Sequence, residues 1–186
     1  MNQNLEKELY RTAALTFEEL GFMLPTTELE EQQRAAPLEA TVRVPFHGPC
    51  RGELMVRIYG NLLTTIVANI LGDDTPMEKS MQRDAIGEIG NVICGNVLPA
   101  LCGSTAVFKL GVPQTLEHAV RENLAKIKPS NDWSLEELPK VKLSDDSLVA
   151  KAELGLDQGR AELFLFLYDD SKAGLPLGPL GQGKEE

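Results

Sequence analysis

The chain has 186 residues, the length of one ordinary domain, and 42% of them are apolar, which is enough to bury a single core. It carries 28 Asp and Glu against 18 Lys and Arg, a formal charge of −10. This balance argues against a nucleic-acid binder, which needs a basic face, and against docking on anionic membranes. No stretch approaches the roughly 20 apolar residues of a membrane span, and the charged first residues lack the apolar region of a signal peptide. We therefore expect a soluble, cytoplasmic, acidic protein with no nucleic-acid or membrane partner.

The first half of the chain predicts a helix, a hairpin and a second helix. Apolar residues recur at steps of three and four in residues 4–24, which indicates an amphipathic helix, and a polar loop follows. From Leu38 the period changes to two, which predicts two strands joined by a turn at Phe46–Pro49. The predicted elements are a helix at 4–24, a loop at 25–36, strands at 38–44 and 53–58, and a mostly apolar helix at 61–71.

The second half predicts a long helix followed by strands. Pro76 should open the helix, since proline is favoured at the first helical position, and the helix should continue to Gly103. Pro99 should kink or loosen its last turn. A break at Gly111-Val112-Pro113 and a polar connection to about residue 134 come next. Alternation at period two then predicts strands at Val141–Leu143, Val149–Leu156 and Ala161–Tyr168.

These elements predict a two-layer α+β fold. A mainly antiparallel sheet would be built from residues 38–59 and 107–169, with the helices packed on one face. Residues 1–170 would form a single domain, and residues 171–186, rich in glycine and proline without periodicity, would be a disordered tail.

The cysteines and histidines do not form a recognisable site in the sequence. Cys50, Cys94 and Cys102 are an odd number without a disulfide framework, and we interpret them as cytosolic thiols. His47 and Cys50 have an H-x-x-C spacing, but a zinc site needs about four ligands, and only His118 and the other cysteines remain. We predict neither a metal site nor a catalytic Cys–His pair.

The long helix divides into an apolar stripe and a polar ridge. At 100° per residue the stripe contains Ile86, Ile89, Ile93, Val97, Ala100 and Leu101. Asp84, Glu88, Asn91 and Gly95 fall within a narrow arc opposite, at spacings of four, three and four. Such a ridge is usually solvated surface, and a Glu-x-x-Asn pair is common by chance.

Glycines in the same helix favour a second interpretation of this ridge. Gly87, Gly90 and Gly95 each cost about 1 kcal/mol of helix stability relative to alanine. On the exposed side of the helix they would let the backbone of another protein approach the ridge. This interpretation makes the ridge a binding surface rather than a solvated face.

The ridge resembles the signature helix of a known family. Asp84-x-x-x-Glu88-x-x-Asn91, within DAIGEIGNVICGNVLPAL, is similar to the motif of the CheC/CheX/FliY phosphatases of bacterial chemotaxis. The order of elements over roughly residues 4–170 agrees, including Leu-Gly-Val-Pro at 110–113. CheC and FliY carry two such motifs. Here Glu88 is the only glutamate followed three places later by asparagine, which indicates the CheX branch.

The resemblance implies a phosphatase for the phospho-aspartate of a response-regulator receiver domain such as CheY. It implies that Asn91 orients the attacking water and that Glu88 pairs with the lysine of the receiver. Asp84, Gly87 and Gly95 would be further partner contacts, although Asp84 is equally well explained as a surface carboxylate. Because Mg²⁺ belongs to the receiver, the resemblance implies no cofactor held by this chain.

The resemblance also bears on assembly and on alternatives. It implies a homodimer formed through sheet strands, and it leaves open whether a CheD-like modulator binds. The main alternative is a catalytically silent module that uses the same ridge to hold a receiver or a flagellar-switch component. A third interpretation is an orphan structural dimer of this fold.

Overall fold

A computed structural model of the protein describes residues 3–72, 79–117 and 147–168. Its helices in these ranges are α1 (Gln3–Glu19), α2 (Glu31–Ala35), α3 (Leu62–Leu71), α4 (Lys79–Val97) and α5 (Pro99–Cys102). Its strands are β1 (Leu38–His47), β2 (Arg51–Tyr59), β3 (Lys109–Leu110), β4 (Gln114–Glu117), β5 (Leu148–Leu156) and β6 (Gly159–Leu167). The strands form one antiparallel sheet in the order β3-β1-β2-β6-β5, and β4 also pairs with β1. Helix α1 packs on β5 and α4, and α4 packs on β1 and β2. The predicted two-layer α+β fold is confirmed.

The alternation at period two decides which side chains reach the core. Val42 in β1 faces Val56 in β2, Val56 faces Leu163 in β6, and Leu163 faces Ala152 in β5. All four side chains are buried. The helices cover this row with Leu9, Phe17, Ile86, Ile89 and Ile93. Burying an aliphatic or aromatic side chain of this kind contributes about 1.5–3 kcal/mol, so this shared face stabilises the fold.

Helix α4 also meets the simple criteria for a membrane span. The segment Ser80–Cys102 is long and apolar enough to cross a bilayer by length and composition. In this fold, however, Ile86, Ile89 and Ile93 of that segment are fully buried against the sheet and α1. The apolar character of α4 is therefore explained by its place in the core.

Two predictions for the N-terminal half need correction. Helix α1 ends at Glu19 rather than at residue 24, and Phe22 has a left-handed backbone with φ of 50°. The predicted loop at 25–36 contains the short helix α2, in which the Glu30 N–H donates to Gln33 Oε1 at 2.9 Å. Arg160 Nη1 in β6 donates to Gln33 O and Arg34 O near the end of that helix, at 2.7 and 3.0 Å. A helix of five residues is too short to show a period, and its carbonyls are satisfied by a distant residue.

The C-terminal half differs in two places from the prediction. The long helix was predicted to continue to Gly103, but α4 ends at Val97 and Pro99 begins the separate helix α5. The expected break at Pro99 is confirmed. Leu101 is half-buried against the core, but Ala100 is exposed, so the predicted place of Ala100 in the apolar stripe is wrong. Strand β4 lies where a polar connection was predicted, since it pairs with residues 40–43 of β1.

Several predicted features lie outside the described residues. They are the helix start at Pro76, the strand at Val141–Leu143 and the tail at 171–186. These features stay predictions.

Candidate functional site

The polar ridge of α4 faces away from the core, as its sequence predicts. Ile86, Ile89 and Ile93 are fully buried on the opposite side of the helix. On the ridge Asp84, Glu88 and Gly95 are exposed, and Asn91 is half-buried. The local rule of 100° per residue is sufficient to place these groups, because α4 is regular up to Val97.

Glu88 and Asn91 share an open groove with a segment distant in the sequence. The groove has a volume of about 400 Å³ and is lined by Glu88, Asn91, Leu110, Gly111, Val112 and Pro113. The opposite wall is apolar, and Val112 is 81% exposed. The groove therefore combines a carboxylate and an amide on one side with an accessible apolar surface on the other.

Strand β1 holds the apolar wall in position. Leu110 pairs with Phe46 in the sheet, and the Gly111 N–H donates to Pro45 O at 2.7 Å. A Cβ atom at Gly111 would lie 2.8 Å from Pro45 Cγ, so a larger residue would push the wall away from β1. Glycine at this position lets the backbone pass close to β1 and then turn into the groove.

Asn91 carries an unusual polar atom. Its amide oxygen is buried and has no hydrogen-bond partner among the residues that the structure describes. A buried acceptor without a partner costs about 1–3 kcal/mol, so such atoms are rare in folded proteins and often have a functional explanation. The amide lines the groove, and a rotation about its side-chain bonds would present either its oxygen or its NH₂ group to a molecule bound there.

Glu88 is an exposed carboxylate that lines the groove. Its side chain is exposed and makes no ion pair or hydrogen bond within residues 3–72, 79–117 and 147–168. It can therefore bind an approaching cation without first breaking an internal contact. Asp84, one turn earlier, is exposed and does not line the groove.

The glycines of α4 have different roles from those that the sequence indicated. Gly87 and Gly90 are buried rather than exposed, so the interpretation of all three glycines as open surface is wrong for these two. A Cβ at Gly87 would lie 3.4 Å from Pro113 Cβ, on the groove wall. Gly95 is exposed, and its nearest neighbour would be Leu110 Cδ1 at 3.9 Å.

Gly90 instead allows α4 to lie close to β1. A Cβ atom at this position would come within 2.8 Å of Val42 Cγ1 and 3.1 Å of Val44 Cγ2. Both neighbours are β-branched side chains in a strand and cannot rotate away easily. Gly90 is thus required for packing between the helix and the sheet.

Alanine substitutions at two glycines of α4 should have opposite effects on stability. Gly90→Ala is expected to lower the free energy of unfolding by about 1–2 kcal/mol, because overpacking outweighs the gain in helix propensity. Gly95→Ala, in open space on the same helix, should raise it by about 1 kcal/mol. Urea unfolding of both variants measures the difference. A stabilised Gly90→Ala variant would contradict the close packing of α4 on β1.

The other groups considered for a metal or ligand do not form such a site within the described residues. A larger groove of about 760 Å³ is lined by residues near α2, the start of α3 and the turn between β5 and β6. Among the described residues that line it, Asp157 is the only one with a titratable side chain. No three His, Cys, Asp or Glu side chains converge in the described part of the chain in a way that could hold a metal ion. His118 lies outside that part. Cys50 and Cys102, in contrast, meet across the fold with their sulfur atoms 3.5 Å apart.

Sequence reasoning found one side of the groove and missed the other. The ridge is visible because its spacing is local. The segment 110–113 was recognised as a break before a polar connection and as part of the family resemblance, but not as a wall of the site, although its Gly-Val-Pro sequence indicates a backbone that turns close to another element.

Comparison with known families agrees with the fold. The sequence profile described as chemotaxis phosphatase CheX matches residues 40–130, a range that includes most of β1 and all of β2, α4 and the groove wall. Comparison with curated protein sequences gives no significant match.

Solved structures with the same fold include several CheX proteins. The chain is similar to CheX from Vibrio vulnificus, with a TM-score of 0.60 and 14% identity over 88% of this chain and 96% of that one. CheX from Desulfovibrio desulfuricans has a TM-score of 0.57 and 14% identity over 89% and 99% of the two chains. The CheX–CheY–BeF₃–Mg²⁺ complex from Borrelia burgdorferi gives 0.53 and 13% identity over 88% and 97%. At these identities the likeness establishes a common fold.

Proposed function

Because this chain belongs to the CheX branch of the CheC/CheX/FliY family, we propose that it dephosphorylates the phospho-aspartate of a CheY-type receiver domain. The proposed setting is bacterial chemotaxis or two-component signalling in the cytoplasm. The observation that carries the proposal is the groove in which the Glu88 carboxylate and the Asn91 amide lie side by side opposite an apolar wall. This arrangement presents a carboxylate and a hydrogen-bonding amide on one accessible surface that the active site of another folded domain can contact.

Asn91 would act on the water molecule that attacks phosphorus. A neutral amide can accept a hydrogen bond from water through its oxygen and donate to a phosphoryl oxygen through its NH₂ group. The buried oxygen without a partner would gain one in this step. Water then attacks in line, the bond between phosphorus and the aspartyl oxygen breaks, and free aspartate and inorganic phosphate are the products. Orienting the nucleophile can supply a large part of the rate acceleration in such a reaction.

Glu88 would dock the receiver rather than take part in the chemistry. It lies one helical turn from Asn91, so a receiver lysine bound to its carboxylate fixes the register of α4 over the phosphoryl group. A carboxylate at position 91 itself would be repelled by that group and by the acidic pocket around it.

No metal held by this chain enters the proposal. Mg²⁺ would be bound by the receiver together with the phosphoryl group, as part of the substrate. The structure from Borrelia burgdorferi contains CheX together with CheY, BeF₃ and Mg²⁺, which supports a partner of this kind. The residues of this chain would supply position and hydrogen bonds.

The groove wall would supply the remaining contact. Val112 and Leu110 are apolar and 81% and 38% exposed, so they can pack on apolar side chains of a bound partner. With a formal charge of −10 the chain gains no long-range attraction to an acidic receiver pocket. Local fit at the groove would therefore determine recognition, and a transient contact is sufficient for a turnover enzyme.

The predicted assembly fits the sheet. Among the described strands β5 lies at one edge and is nine residues long. Thr26 bridges to Gly155 near the end of this edge, and the part of β5 before Gly155 provides the surface for strand pairing with a second copy. We propose a homodimer formed through sheet strands. We propose no nucleic-acid or membrane partner.

The decisive experiment is the lifetime of the phosphoryl group on a CheY-type receiver from the same cell. With Mg²⁺ present, substoichiometric amounts of the protein should shorten that lifetime and release inorganic phosphate over many turnovers. If the protein binds the phosphorylated receiver preferentially but does not speed its hydrolysis, the proposed phosphatase activity is wrong and the adaptor alternative is indicated. Failure to bind any CheY-type receiver of that cell would exclude both.

Removing the charge of Glu88 should weaken docking more than chemistry. Glu88→Gln is expected to raise KM for the phosphorylated receiver by about 2–5-fold, the range of an exposed ion pair, with little change in kcat. Added salt should raise KM for the wild type more than for the variant. Glu18→Gln, an exposed change on α1, is the matched control and should leave both constants unchanged. A large fall in kcat at constant KM would contradict a docking role.

A further inference from the structure

Two cysteines far apart in the sequence meet near the end of the helix that carries Asn91. Cys50 Sγ and Cys102 Sγ are 3.5 Å apart, although the residues are 52 positions apart along the chain. Cys50 is half-buried at the turn between β1 and β2, and Cys102 is exposed at the end of α5. The two sulfur atoms are in van der Waals contact, and a disulfide would require them to approach by about 1.5 Å.

The surrounding contacts keep the two sulfur atoms together. The Phe46 and Phe108 rings pack edge to face at 5.9 Å, and His47 pairs with Lys109 between β1 and β3. A Cβ at Gly48 would lie 2.6 Å from Val107 O, so the hairpin turn lies directly against the segment that follows Cys102. The closeness of the two thiols thus follows from packing on both sides of them.

We propose that Cys50 and Cys102 form an oxidation site at which a peroxide produces an intrachain disulfide. This inference concerns a covalent modification and is independent of receiver dephosphorylation. Cytosolic disulfides are typically transient and redox-sensing, which is the class to which such a site would belong.

The reaction balances with hydrogen peroxide as the oxidant. The Cys102 sulfur attacks one peroxide oxygen, the O–O bond breaks, and sulfenic acid and water form. The Cys50 sulfur then attacks the sulfenic sulfur, the S–O bond breaks, and the disulfide forms with release of a second water. Two thiols thus lose two electrons and two protons, and the peroxide is reduced to two molecules of water.

The surroundings of each thiol determine this order. Cys102 is exposed, so peroxide reaches it first. Burial and the hydrogen bond with Cys102 raise the pKa of Cys50 to about 12, so Cys50 reacts with peroxide more slowly than the exposed Cys102. Cys94 is fully buried in the core, and burial raises its pKa to about 12, so it remains a spectator.

The disulfide would tie the β1–β2 turn to the end of the α4–α5 unit. It would close a long loop that includes Glu88 and Asn91, and cross-links of this kind restrict the unfolded chain most. We expect Tm to rise by about 5–10 °C on oxidation and to return on reduction with dithiothreitol.

Peptide mapping of the full chain after peroxide treatment tests the site. Trypsin should release residues 44–51, which contain Cys50, linked to residues 84–109, which contain both Cys94 and Cys102. The Cys94→Ala variant removes this ambiguity and should give the same linked pair. Cys102→Ala should give no linked pair and no rise in Tm.

Two results would overturn the proposal. One is oxidation of Cys102 to sulfinic or sulfonic acid while Cys50 still reacts with an alkylating reagent. The other is a disulfide between two copies of the chain, seen as a dimer under non-reducing denaturing conditions, with no linkage within one chain.

Discussion

The Asn91→Ala variant is expected to dephosphorylate the receiver about 10²–10³-fold more slowly than the wild type, the loss seen when one positioned hydrogen-bonding group is removed from an active site. Its free energy of unfolding should be unchanged or higher by about 0.5–1 kcal/mol, because alanine is the better helix former and the buried oxygen without a partner disappears. A residue that lowers stability and is required for activity is typical of a functional site.

The measurements are single-turnover loss of the phosphoryl group and urea unfolding of the same preparation. Asn96→Ala is a matched control, since Asn96 is exposed on the same helix and does not line the groove. It should match Asn91→Ala in helix propensity and keep full activity. Binding of the phosphorylated receiver should persist in the Asn91→Ala variant. Full activity of this variant would rule out the proposed role of the amide.

The second large effect is expected on the opposite face of the sheet, at an ion pair that braces β1. Arg43 Nε donates to Glu53 Oε1 at 3.0 Å and Arg43 Nη2 to Glu53 Oε2 at 2.5 Å, with side chains only 18% and 4% exposed. Burial and the adjacent Glu53 carboxylate raise the pKa of Tyr168, so its hydroxyl stays protonated and donates to Glu53. The stability that the protonated Tyr168 hydroxyl contributes is present at neutral pH and is lost as the pH rises above about 10.

Glu53→Gln should lower the free energy of unfolding by about 3 kcal/mol, because it leaves the Arg43 guanidinium buried without a counter-charge. Tm would fall by about 6–12 °C for a chain of this size. Glu8→Gln is the control, because it breaks a much more exposed ion pair. The side chains of Glu8 and Arg11 are 30% and 62% exposed, and Tm should not change measurably.

A double variant distinguishes an unpaired charge from a general packing defect. Arg43→Met combined with Glu53→Leu removes both charges and should recover most of the stability lost in Glu53→Gln. A double variant as unstable as the sum of its single changes would contradict this explanation.

The hydrophobic period and the composition of the sequence were sufficient to predict the main elements of the fold. The hairpin of β1 and β2, the strands β5 and β6 and the buried stripe of α4 all follow from local spacing, since each face of a strand or helix is set by a fixed angle per residue. Glu88 and Asn91 were placed on one accessible ridge for the same reason. The break at Pro99 follows from the missing N–H of proline.

Features that depend on distant residues could not be predicted in this way. Helix α2 depends on Arg160, which donates to its carbonyls from β6. Gly90 appeared to be open surface, because the approach of Val42 and Val44 cannot be read from α4 alone. The contact between Cys50 and Cys102 was likewise invisible, since nothing in the spacing of the two residues relates them.

The composition and position of the ridge on α4 were therefore determined by the sequence itself, because each residue of a helix is rotated by a fixed angle from the one before it. The groove was decided only by the tertiary structure, since its second wall is held opposite Asn91 by the pairing of Leu110 with Phe46 and by the hydrogen bond from Gly111 to Pro45. Those contacts join residues more than 60 positions apart, and only the packing of the whole sheet brings them together.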